Sequence, residues 1–259
     1  MTPPAGPPLL EWAAGGRATI TLQRSRHLNR LHREDLLALQ DHFALIAADA
    51  GVRVLVLTGS GRAFCAGFHL GELDESDASA SSDPRLFEHT VDALEALPVP
   101  TIARLNGSVF GGATDLTLAC DFRIGVQSME LRMPAARLGL HYYASGLQRY
   151  VSRLGLAAAK RLFLRAETVA ADELLRIGYL DTLVPNERLD AEVDTLAAAL
   201  AGNAPLAVRG MKQSLNEIAR GDFDPARLRE REAACAASAD LREGLAAFAA
   251  KREPQFTGR

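Results

Sequence analysis

The chain has 259 residues, 48% hydrophobic and 24% charged, which is an ordinary globular composition with length for one large domain and an appendage, or for two modest domains. Its 29 lysines and arginines against 32 acidic residues leave a net charge of -3, so there is no electrostatic case for nucleic acid or an anionic membrane as partner. Cys65, Cys120 and Cys235 lack metal-like pairing and read as apolar fillers of a reduced protein. The opening MTPPAGPPLLEW has no basic leader, and no window approaches the roughly 20 apolar residues of a membrane span, so a cytoplasmic location is expected.

Apolar runs rich in β-branched residues predict strands at ATITLQ (18–23), VRVLVLTG (52–59), TIARLNG (101–107), FRIG (122–125) and DTLVP (181–185), each bounded by turn formers. Helical periods fill 34–49, 85–97, 111–120 and 146–166 between them. Alternation of strand and helix predicts an α/β chain with crossover connections. Two strands flank one short helix at 101–125, so the repeating unit reads as strand-strand-helix. Beyond residue 186 the strand signals stop, and 188–202, 204–220, 225–237 and 239–252 read as Ala-rich amphipathic helices. The expected division is therefore 1–186 as a core carrying the site and 187–259 as a helical oligomerisation region, whose apolar faces exceed what isolated helices bury. The polar, Ser-rich stretch 73–84 reads as a mobile loop of the kind that lids a site.

Two stretches share one design. GRAFCAGFHLGEL (61–73) and NGSVFGGATDL (106–116) each run from a strand through small residues and glycine into a polar turn. Phe68, after Gly67, and Gly112 can each turn a backbone N–H outward, because glycine leaves the approach uncrowded. Two such donors on one oxygen form an oxyanion hole for a carbonyl that becomes an enolate. A phosphate cradle is the rival use of glycine turns at helix starts, but neither GxGxxG nor GxxxxGK[ST] occurs and no lysine sits in the turn. Asp115, in the first turn of its helix, suits a base or a water-orienting group.

LTGSGRAFCAGFHL, followed by ARLNGSVFGGATDLTLACDFRIG, LGLHYYASGLQRYVSRLG, VAADELLRIGYLDTLVP and EGLAAFAAKREPQF, resembles the enoyl-CoA hydratase/isomerase (crotonase) family over nearly the whole chain. The resemblance implies a crotonase-like spiral of ββα units with a C-terminal helical trimerisation region, assembled as a homotrimer or a dimer of trimers. It also implies an acyl-CoA thioester as substrate, no separate cofactor, and an enolate held by the N–H groups of Phe68 and Gly112. CoA contacts carry over to Leu28 and Arg30 in HLNRL, to Ala66, and to Phe248 and Lys251 of the last helix.

One departure matters. Of the two glutamates that hold water in family hydratases, the first falls on Asp115 and the second on Ala135. Tyr142 matches a tyrosine of the methylmalonyl-CoA decarboxylase branch, and is assigned to orienting a carboxylate or donating a proton. The nucleophilic aspartate of aryl-CoA dehalogenases would fall on Tyr143, which argues against that chemistry. His27, His32, His42 and His89 read as surface or loop residues, and no metal is expected. The first expectation is a lyase of enoyl-CoA hydratase type. Its rivals are a 2-carboxyacyl-CoA decarboxylase and, from another class, a non-catalytic acyl-CoA-binding trimer.

Overall fold

A computed structural model describes residues 6–72 and 83–259; most of the loop expected at 73–84 lies outside them. The chain begins β1 (Leu9–Ala13), β2 (Arg17–Leu22), α1 (Arg33–Ala48), β3 (Val54–Gly59), β4 (Ala63–Cys65) and α2 (Leu86–Glu95). It continues β5 (Thr101–Leu105), β6 (Ser108–Phe110), α3 (Ala113–Leu118), β7 (Phe122–Val126), β8 (Glu130–Arg132) and α4 (Ala144–Lys160). After β9 (Thr168–Ala170), α5 (Ala171–Arg176) and β10 (Thr182–Val184) come α6 (Leu189–Ala201), α7 (Pro205–Arg220), α8 (Pro225–Ala237) and α9 (Ala239–Ala250).

Two sheets result. One has six strands in the order β1-β2-β3-β5-β7-β10 and the other four in the order β4-β6-β8-β9. The chain visits the large sheet, then the small one, then a helix, three times over: β3-β4-α2, β5-β6-α3, and β7-β8 leading to α4. This is the ββα spiral. β3 is buried at all six positions, because a parallel strand covered on both faces has no polar side to alternate with.

All five runs expected as strands lie in the large sheet. The strands expected to lead GRAFCAGFHLGEL and NGSVFGGATDL into their glycine turns are β4 and β6 of the small sheet, whereas β8 and β9 carry no sequence signal, being three residues each, too short for a period of two to show. Within it β4 pairs with β6 and β6 with β8, all parallel. Stacking of successive turns therefore lays the residues that follow β4 beside those that follow β6. The sequence-equivalent junctions, 66–68 and 111–112, become spatial neighbours.

Candidate active site

Contact at that junction is close enough to require glycine. Gly67 has φ +88°, and a Cβ there would lie 2.7 Å from the Phe110 carbonyl oxygen and 3.0 Å from the Gly112 nitrogen. Gly111 also has positive φ and donates its N–H to the Arg132 carbonyl at 2.9 Å, tying the turn to the next strand of the small sheet. On the other side, Leu31 N–H donates to Gly67 O at 2.9 Å and His69 N–H to Leu31 O at 2.8 Å. Both bonds face Leu31, so the intervening Phe68 N–H faces away from it. Among the described residues, neither Phe68 N–H nor Gly112 N–H has an acceptor. Both residues line a cleft of about 410 Å³.

The cleft wall is apolar and aromatic: Phe68, Phe87, Met133, Ala135, Leu140, Tyr142 and Tyr143 contribute to it. The Phe87 ring centroid stands 6.0 Å from that of Phe68 and 6.2 Å from that of Tyr143, while Tyr142 and Tyr143 stack at 4.4 Å. Ala135, at the position of the second carboxylate of family hydratases, presents a methyl group. Ala66 borders the same cleft and donates its N–H to the Leu28 carbonyl at 2.8 Å. Leu28 and Asn29 take left-handed φ, and the buried Asn29 amide donates to the carbonyls of Ser60, Ala63 and Phe64. That clamp, unmarked in sequence, holds the loop carrying Leu28 and Arg30 against Ala66. Phe248 and Lys251 belong to the far end of α9 and do not border the cleft; Phe248 is 86% exposed.

Asp115 is placed otherwise than a free base would be. It is wholly buried and does not border the cleft. Its Oδ2 accepts the Tyr143 hydroxyl at 2.5 Å and Arg149 Nη1 at 2.7 Å, and its Oδ1 is buried with no partner among the described residues. Burial pushes the carboxyl pKa up, and Arg149 with the Tyr143 hydroxyl recovers part of that shift. Tyr142 donates to the Tyr143 hydroxyl over a long 3.4 Å and does not reach the carboxylate. Both phenols are pushed up, first by burial and then by the Asp115 charge, so both stay neutral. Space for this arrangement comes from Gly146, where a Cβ would lie 2.5 Å from the Tyr142 ring and 2.8 Å from Asp115 Oδ2. Arg149 continues to Glu95 at 3.0 Å and to Asp92 at 2.7 Å.

The fold also gathers a group the sequence did not announce. His32, His69 and Glu72 bring ligand atoms within 4.8 Å of one another, a composition capable of holding a cation although no metal was expected. His32 Nδ1 lies 2.6 Å from Glu72 Oε1, whose other oxygen accepts Arg33 N–H at 2.8 Å. Burial acts to raise the Glu72 carboxyl, but the Arg33 amide and His32 outweigh it and hold it low. These contacts fasten the start of α1 to the turn after Phe68.

The enoyl-CoA hydratase/isomerase family model matches residues 13–259, and the chain belongs to that family. It is 32% identical to crotonyl-CoA hydratase of Syntrophomonas wolfei, covering 92% of this chain and 94% of that one. It is 31% identical to 1,2-epoxyphenylacetyl-CoA isomerase of Escherichia coli, over 97% and 98%. The crystal structure of enoyl-CoA hydratase from Bacillus anthracis superposes with a TM-score of 0.88 at 31% identity, over 98% of this chain and all of that one. These names correct one expectation. Hydratases are lyases by reaction type and isomerases are not, so the label of lyase was too narrow, and the relatives' names are not those of decarboxylases. Among the described residues no helix is long and apolar enough to cross a membrane.

Proposed function

We propose that the cleft binds an acyl-CoA thioester with its carbonyl oxygen between the N–H groups of Phe68 and Gly112, and that the protein moves a proton at the α-carbon through the resulting enolate. The observation that carries this reading is the pair of unpartnered amides on adjoining glycine turns. Donors fixed in place before charge develops cost no reorganisation when it does, and each contributes about 3–4 kcal/mol. Ala66 borders the cleft and is tied to the loop of Leu28 and Arg30 through its N–H to the Leu28 carbonyl, and in this reading those three residues take the nucleotide end; Phe248 and Lys251 serve a neighbouring subunit's cleft in a trimer. No separate cofactor is called on.

Proton transfer is favoured over addition of water by what surrounds the cleft. Water must be held from two sides to add across a double bond, and here one side is the Ala135 methyl while the other carboxylate is engaged by Arg149 and Tyr143. The test is exchange in D2O: the protein should wash deuterium into the α-carbon of a saturated acyl-CoA, and a crystal of the complex should place the thioester oxygen within about 2.7–3.1 Å of both nitrogens. A bound thioester whose oxygen lies away from both amides removes the reading.

A further inference from the structure

A carboxylate sealed from the cleft cannot touch a substrate carbon, yet one hydroxyl spans the gap. Tyr143 borders the cleft on one side and donates to Asp115 Oδ2 at 2.5 Å on the other. Its ring is packed by stacking on Tyr142 and against the edge of Phe87, with the hydroxyl directed at the carboxylate. Behind it Arg149, itself fixed by Glu95 and Asp92, clamps the same carboxylate oxygen at 2.7 Å. Resting on the enolate reading above, we propose that Tyr143 is the catalytic residue that exchanges the proton with the acyl-CoA, and that Asp115 receives that proton through it, with Arg149 as a positioning residue.

The step balances without any further reactant. The α C–H bond breaks and its proton lands on Tyr143 Oη, while the proton already on Tyr143 moves along the 2.5 Å hydrogen bond to Asp115 Oδ2. The electron pair released goes to the thioester oxygen between the two amides. Reversal returns a proton to carbon, at the same position or at a conjugated one. Burial keeps the phenol neutral and makes the carboxylate a readier proton acceptor, so the phenol passes the proton on and does not store it. The long Tyr142 contact at 3.4 Å is weak enough for a substrate to displace.

The experiment measures deuterium wash-in at the α-carbon of butyryl-CoA and of phenylacetyl-CoA, the second chosen for its more acidic α-carbon. Tyr143→Phe should slow exchange about 10²–10⁴-fold, the range for a positioned acid or base, with the dissociation constant of either thioester unchanged. Asp115→Asn should slow it by a similar factor. The double variant should be no slower than the slower single, because the two act as one relay; losses that multiply would show two independent groups and overturn the proposal. If Tyr143→Phe does not fold, 3-fluorotyrosine and 3,5-difluorotyrosine at position 143 decide. A relay makes the rate graded with phenol acidity, whereas a rate indifferent to fluorination assigns Tyr143 to packing. Should the wild type bind both thioesters and exchange neither, the enolate reading fails and this assignment with it. Exchange retained in Tyr143→Phe strikes the tyrosine alone.

Discussion

Gly67 holds the two halves of the site together. Any side chain there is strained by φ +88° and meets both the Phe110 carbonyl and the Gly112 nitrogen. Gly67→Ala is expected to cost about 1–3 kcal/mol of stability, the range for a residue forced into a sparsely populated backbone region. It should also lower α-carbon exchange about 10²–10³-fold, as for loss of one oxyanion donor; thermal unfolding and the deuterium assay read the two effects separately. The opposite wall supports a gain. Ala135→Glu places a carboxyl on the cleft surface beside Met133 and Pro134, and hydration of crotonyl-CoA should rise at least about 10-fold over a low wild-type rate, because a positioned base is worth 10²–10⁴-fold when its geometry is right. A variant that folds, binds crotonyl-CoA and hydrates it no faster would show that water addition is limited elsewhere. That Phe68 and Gly112 sit on adjoining glycine turns at one cleft was legible in the sequence, because glycine turns are local signals; that Asp115 is sealed behind the cleft was not. The partners of Asp115 were not, since Tyr143 is 28 residues away and Arg149 is 34. Nothing in the run HYYASG tells which tyrosine turns inward.

At the scale of elements, α2, α3 and α4 meet at one ion network, in which Glu95 of α2 accepts Arg149 and Arg153 of α4. Burial acts to raise the Glu95 carboxyl, but Arg149, Arg153 and Arg220 outweigh it and the net shift is downward. A folded-state pKa below the unfolded one means that this carboxylate stabilises the fold fully above the unfolded value of about 4.3, and that the contribution is lost as pH falls through the depressed folded value. Glu95→Gln should therefore destabilise by about 3 kcal/mol at pH 7, since it leaves a buried arginine short of a partner. The deficit should shrink as acid protonates Glu95 in the wild type; denaturant titrations from pH 7 down to pH 3 would show it, and a deficit independent of pH would assign the effect to packing. Asp115 has the opposite sign: its pKa is raised, so its ionised form costs stability that protonation relieves. Elements were the most legible level, with helix ends expected at 225–237 and found at Pro225–Ala237. What sequence could not show was that β4 and β6 join β8 and β9 in a second sheet, because that pairing is fixed by neighbours in the spiral and not by the strands' own pattern.

On the whole molecule, the last helices leave apolar stripes without cover. On α7, Met211, Leu215 and Ile218 are exposed, and on α9 so are Leu241, Leu245 and Phe248. Both sets follow the spacing i, i+4, i+7, which places each on one face of its helix. Stripes of this kind on neighbouring elements mark association sites. We propose that copies of this chain cover them, in the trimer or dimer of trimers that the family resemblance implies, so that Phe248 and Lys251 of one copy approach the cleft of another. Light scattering at micromolar concentration should then give three or six times the 27.8 kDa of one chain. Leu245→Glu should shift the mass toward the monomer, because burying an unpaired carboxylate in an apolar contact is unfavourable by several kcal/mol. Phe248→Ala, which removes contact area and adds no charge, should keep the assembly and weaken acyl-CoA binding if the ring reaches a neighbour's nucleotide. A sharp monomer for the wild type would leave both stripes to be explained some other way. An assembled Phe248→Ala with unchanged affinity would restrict the ring to the interface and confine the nucleotide contacts to Leu28, Arg30 and Ala66 of the same chain.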